Sequence, residues 1–292
     1  IFSLGAPFIT CAICFFAFNC QQTNVQEEEK VYTAYEDLVA LFHDWRDFEK
    51  PPFKEGAPDY TMGTFENRWP QFLALQQKLM AFDTAGWPID EQIDWHILRA
   101  EMNGYQFNYE ILKPWLRHSA FYKSVWMSRS DVPAHEGPTH HATTEVWTYN
   151  FPLSAEAAEK LLQDINLIPA LNSQAQMNLT GNARDLWIAG IRDIRQQSQD
   201  LKSLLSFAGV KQYEELVLAI KEAIASTDAL AEWLEEEAAH KTGPSGIGKD
   251  NYSWYLQNVH LVPLSWEDEV MLLKRELARA WTALKLEEHK NR

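Results

Sequence analysis

Cysteine disappears early from this chain: Cys11, Cys14 and Cys20 are the only three, and all lie in the first twenty positions. The remainder cannot form a disulfide, a thiolate zinc site or a cysteine nucleophile. Cys11-Ala-Ile-Cys14 has redox spacing, but it sits in an apolar run without βαβ surroundings and carries no redox reading. Basic residues are also scarce, 26 Lys and Arg against 41 Asp and Glu, for a formal net charge of −15. That balance argues against nucleic acid or an anionic membrane surface as a partner, since both select lysine and arginine. Glycine is sparse as well, 12 in 292 residues. With 46% hydrophobic residues, the composition suits one large or two smaller globular domains.

A hydrophobic run of membrane-spanning length is missing too. Residues 4–18, LGAPFITCAICFFAF, fall short of the ~20 needed to cross a bilayer. Their length is that of a signal-peptide core. Polar QQTNVQEEE follows Cys20 directly, and Ala17-Phe18-Asn19 loosely matches the small residues that precede a lipidated cysteine. The expected layout is a signal/lipoprotein segment over 1–20, lipidated at Cys20, then a polar tether over 21–29. Such a protein is exported and held at the membrane by its lipid alone, in the periplasm or at the cell surface. Neither a basic start nor an initiating Met is present, so the beginning is read as clipped.

What remains, residues 30–292, is written in helical code, and the expected fold is an all-α, multi-helix bundle of long amphipathic helices forming a single domain. Val31, Tyr35, Leu38, Val39, Phe42 and Trp45 mark a first helix, ended by Pro51 and Pro52. FKEGAPDYTMG reads as a loop, and Thr64 as the N-cap of a second helix with Pro70 near its start. A third helix is expected from about Pro88 to Leu112, with Ile89, Ile93, Ile97, Met102 and Tyr105 on its apolar side. Asp94, Glu101 and Asn108 recur at seven-residue spacing and share another face. They read as a solvated stripe or, alternatively, as the polar lining of a cleft with Arg99 as partner to Glu101. Residues 113–153 read as a long packed loop with short helical pieces, of a length that is often functional.

Ser154 caps the next helix, which Pro169 is expected to kink or interrupt. Asn182 is the expected start of another, and Gly209 separates it from a long helix bearing Leu216, Ile220, Leu230 and Leu234. These two should pack as an antiparallel hairpin. Ser265, with Asp268 three residues on, starts a final helix carrying Val270, Leu273, Leu277, Trp281 and Leu284. It ends in LEEHKNR without a glycine or turn, which reads as a chain cut in mid-protein. Twelve tryptophans are available for stacking on sugars or peptides, but at helical spacing they read mainly as packing.

Two motifs invite chemistry and fail on inspection. Gly243, Gly248 and Lys249 fit the spacing of a phosphate-binding loop, but Asp250 replaces the required hydroxyl and a helical run, not a strand, precedes them. Here Gly243 reads as a helix cap and Pro244 as a stop, before a short helix with Tyr252, Trp254 and Tyr255. The functional alternative makes Gly246, Gly248, Lys249 and Tyr252 substrate-binding residues, the glycines admitting a ligand close to the backbone. His135, His140 and His141 lie five and six apart, not four, and Gly137-Pro138 forbids the helix a zinc-peptidase pair needs. No metal ligand or catalytic residue is assigned to this chain.

Five stretches carry a family resemblance: DWRDFEKPPFKEGAPDYT (44–61), GWPIDEQIDWHILRAEMNGYQFNYEILKPW (86–115), SAFYKSVW (119–126), NLTGNARDLW (178–187) and HKTGPSGIGKDNYSWYLQNVHLVP (240–263). Together they resemble the bacterial helical family catalogued as domain of unknown function 885. The resemblance implies an exported lipoprotein about twice this length, with a fold similar to gluzincin-type zinc metallopeptidases. It places the metal motif in a C-terminal half that nothing here matches. The implied role is the N-terminal helical half of a zinc-dependent peptidase-like hydrolase, one wall of a cleft for a peptide substrate. Zinc is expected in the whole protein and none in this chain, whose missing partner is its own C-terminal half. The alternative is a non-enzymatic helical lipoprotein that binds peptide or carbohydrate through aromatic residues.

Overall fold

A computed structural model describes residues 31–129 and 142–291. Residues 1–30, with Cys20 and the tether, and the histidine run 135–141 lie outside the described residues. The architecture is all-α. Helices α1 (Tyr35–Glu49), α2 (Met62–Met80) and α3 (Ile89–Phe107) form the N-terminal layer. α3 is prolonged by a π-helical turn over Asn108–Leu112, so the helical path ends where the periodicity placed it. A short helix, α4 (Pro114–Arg117), opens the irregular stretch, which contains single turns of 3-10 helix, as anticipated, and a pair of two-residue strands, which were not. Three long helices follow, α5 (Ala155–Asn178), α6 (Arg184–Leu204) and α7 (Glu214–Ala238). The chain then passes through α8 (Lys249–Asn258) into α9 (Trp266–Lys290).

The long helices pack because their apolar positions repeat along one side. Leu161, Ile165 and Ile168 of α5 meet Leu201 and Leu204 of α6 and Leu216 and Ile220 of α7, all buried. Trp187 donates its indole N–H to the Leu234 carbonyl at 2.7 Å, and Lys202 pairs with Asp228 at 3.0 Å. Partners descend along α7 as they ascend along α6, which makes the pair antiparallel. Pro169 does not interrupt α5, which runs unbroken for 24 residues while packed along its length.

Two corrections concern the helix starts. Thr64 lies inside α2, which begins at Met62. Asp59 organises that start, its carboxylate accepting from the Thr61 N–H at 2.9 Å and the Thr64 hydroxyl at 2.7 Å. Pro70 therefore falls in the third turn. Asn182 does not cap α6, whose preceding residue Ala183 makes no side-chain cap. Ser245, far along the chain, does so instead: its hydroxyl accepts from the N–H groups of Asp185 (2.8 Å) and Leu186 (3.2 Å).

The N-terminal layer has its own core, with Leu38, Leu41, Trp45 and Phe48 of α1 against Phe72, Leu79, Leu98 and Met102. The stripes expected on α1 and α3 divide between two faces. Val39, Phe42, Ile89, Ile93 and Ile97 are exposed, and only the residues turned inward are buried. A hairpin, Phe53–Lys54 paired with Ala57–Pro58, fills the loop after α1. Its turn residues Glu55 and Gly56 both have positive φ, as a tight type I′ turn requires.

Amides join the two layers. Gln174 on α5 accepts from the Tyr60 N–H at 2.7 Å and donates to the Pro58 carbonyl at 3.1 Å. One turn later, buried Asn178 donates to the Tyr60 carbonyl and the Tyr122 hydroxyl, both at 3.0 Å. Asn178 begins a glycosylation sequon, and its burial leaves no room for a glycan.

Candidate functional site

The segment from His240 to Pro263 is held against α4 and α6 by its backbone. Asn182 accepts from the N–H groups of Thr242 (2.6 Å) and Gly243 (2.9 Å), while Arg117 donates to the carbonyls of Pro244 and Ser245. Gly243 does not cap α7, which ends at Ala238. Its glycine is required by proximity, since a Cβ there would lie 2.1 Å from the Asn182 carbonyl oxygen. Gly248, with φ of +84°, starts α8 in a conformation that L side chains rarely adopt. Gly246 has open space where a side chain would be.

Lys249 and Tyr252 both point at α9. The Lys249 ammonium lies 3.7 Å from the centroid of the Trp266 ring and 3.7 Å from a Glu267 carboxylate oxygen. The Tyr252 hydroxyl donates to Glu269. That bond to a carboxylate, with some burial, raises the Tyr252 pKa. The structure thus gathers Gly248, Lys249 and Tyr252 on one short helix and employs the two polar side chains as its link to the last helix.

α9 itself is bare. Its N-terminus carries a full capping box between Ser265 and Asp268, yet none of its 25 residues is buried. Met271, Leu273, Leu277, Trp281 and Leu284 are 63, 60, 58, 53 and 50% exposed. Val270, Leu273, Leu277 and Leu284 repeat at helical spacing, and beyond partly buried Val270 the stripe is the half-exposed or more exposed side of an amphipathic helix. Elsewhere tryptophan does pack: Trp45, Trp115 and Trp187 are fully buried.

A cleft of about 240 Å³ opens between α1 and α3, walled by Tyr35, Leu38, Val39, Phe42, Asp94, Ile97, Leu98 and Glu101. Glu101 does have an arginine partner, but it is Arg46 at 2.7 Å, with the Trp45 indole N–H at 3.3 Å. Arg99 lies over the Trp95 ring instead. Burial pulls the Arg46 pKa down, and the carboxylates of Glu49 and Glu101 outweigh it, leaving it raised. Asp94 accepts from the Tyr35 hydroxyl at 2.6 Å, which raises the tyrosine pKa. Asn108, the third member of the heptad series, is buried and bonded to the Gly104 carbonyl, outside the cleft. The sequence anticipated this wall only as an alternative, because α1's contribution to it is not visible from α3.

Comparison with protein-family models, curated proteins and solved structures yields no match. Among the described residues, no three His, Cys, Asp or Glu side chains gather to hold a metal ion. No helix among them is long and apolar enough to cross a membrane.

Proposed function

We propose that this chain is the N-terminal helical half of an exported, zinc-dependent peptidase-like hydrolase, anchored by a lipid at Cys20 and forming one wall of its substrate cleft. The observation that carries the reading is the uncovered apolar stripe of α9. A helix held at one end by α8 and left apolar on its length is shaped to receive further helices. The complementary half of the same protein is the occupant that the family resemblance supplies. On this reading the zinc ligands belong to that other half, and no chemical step is assigned to this chain. Gly246 and Gly248 are the positions on this side where a peptide backbone has room to approach.

Cleavage of a peptide library tests the reading. Protein expressed from the complete gene is expected to cleave, to lose activity on chelation and to lose it on Leu273→Glu/Leu277→Glu. Residues 21–292 alone are expected to be inactive, and zinc-dependent cleavage by them would overturn the assignment. Incorporation of a lipid precursor, abolished by Cys20→Ala, tests the anchor.

A further inference from the structure

The α1–α3 cleft has an apolar floor and one ionic group without an ionic partner. Leu38 and Leu98 close its base, and Val39, Phe42 and Ile97 form exposed apolar sides. Of its two carboxylates, Glu101 is paired with Arg46, whose guanidinium also pairs with Glu49 and lies over the Phe42 ring. Asp94, exposed at the rim, accepts a hydrogen bond from a neutral hydroxyl, that of Tyr35, and forms no ion pair among the described residues. Asp90 and Glu91 sit in the first turn of α3, where they complement the helix dipole, and they add negative potential beside Tyr35. Asp94 is the sixth residue of α3, beyond the reach of that explanation. Lysine and arginine are missing from the lining altogether.

We infer that this cleft binds a small amphipathic organic cation, its apolar body lying between Val39, Phe42 and Ile97 and its ammonium on the Asp94 carboxylate. At about 240 Å³ the space is below the roughly 300 Å³ where drug-sized sites begin, which fits one ring or a short alkyl chain. Apolar walls supply attraction to any such body, and the unbalanced carboxylate selects its charge. This site is distinct from the α9 face and does not rest on the hydrolase reading.

Calorimetric titration of the chain with phenethylammonium chloride is the test, with neutral 2-phenylethanol and anionic 3-phenylpropanoate as isosteres. The cation is expected to bind saturably, and both isosteres about tenfold more weakly or worse. Asp94→Asn, with its helical circular dichroism unchanged, is expected to bring the cation down to the level of the alcohol. Tyr35→Phe keeps the carboxylate and is expected to keep the binding. Equal binding of cation and alcohol, no binding of the cation, or equal loss in both variants would overturn the site.

Discussion

Asn182 closes on Gly243 with two oxygens: that of its side chain accepts from the Gly243 N–H at 2.9 Å, and that of its backbone carbonyl fills the space of an absent Cβ. Gly243→Ala forces these two strands of chain apart. Overpacking of this kind costs about 1–3 kcal/mol. A lower denaturant midpoint, together with faster amide exchange at Asp185 and Leu186, is the expected result, because the same shift withdraws the Ser245 hydroxyl from them.

Gln197 is fully buried on α6, and its amide oxygen accepts from the N–H groups of both Ser124 and Val125. Gln197→Leu keeps the volume and strands two donors. At about 1–3 kcal/mol for each unsatisfied group, the loss should reach roughly 2–6 kcal/mol. Thermal unfolding followed by circular dichroism measures it, and a change under 1 kcal/mol would contradict the contact.

Tyr252→Phe should act locally. It removes the bond to Glu269 but no buried apolar surface. Amide exchange in residues 266–277 should quicken while the global unfolding midpoint stays within about 0.5 kcal/mol of the parent.

Asp59 links stability to acid. Burial pushes its carboxyl up, but the hydrogen bonds from Thr64 and Thr61 outweigh that and leave its pKa below the ordinary value. A depressed folded-state pKa gives stability that is present above the unfolded pKa and lost as pH falls through the folded one. The advantage of the parent over Asp59→Asn should therefore be constant near neutrality and shrink in acid. Denaturant titrations at several pH values check the sign, and an advantage that grows in acid would reverse it.

The elements open to sequence reading were those whose pattern is local. α5, α6 and α7 follow from their repeats, and α9 from Ser265 and Asp268, because caps and stripes are written within a few residues. The N-terminus of α6 was hidden, since its cap arrives from Ser245 some 59 residues away. The cleft was hidden for a related reason. Ile97 and buried Met102 were read onto one apolar side of α3, but five residues set them about 140° apart, one turned to the hollow and the other to the core. Gln174 and Asn178 have partners 114 to 118 residues upstream, beyond the reach of any local pattern, and these make them the joint of the molecule.

That joint does more than hold. Greasy surfaces tolerate sliding, whereas Gln174 and Asn178 each read a particular carbonyl or amide of the Pro58–Tyr60 backbone. Advancing α5 by a single residue would swing both amides about 100° around the helix and miss every one of those groups. The two amides thus work as an index mark, setting the rotation of the long helices relative to the hairpin after α1.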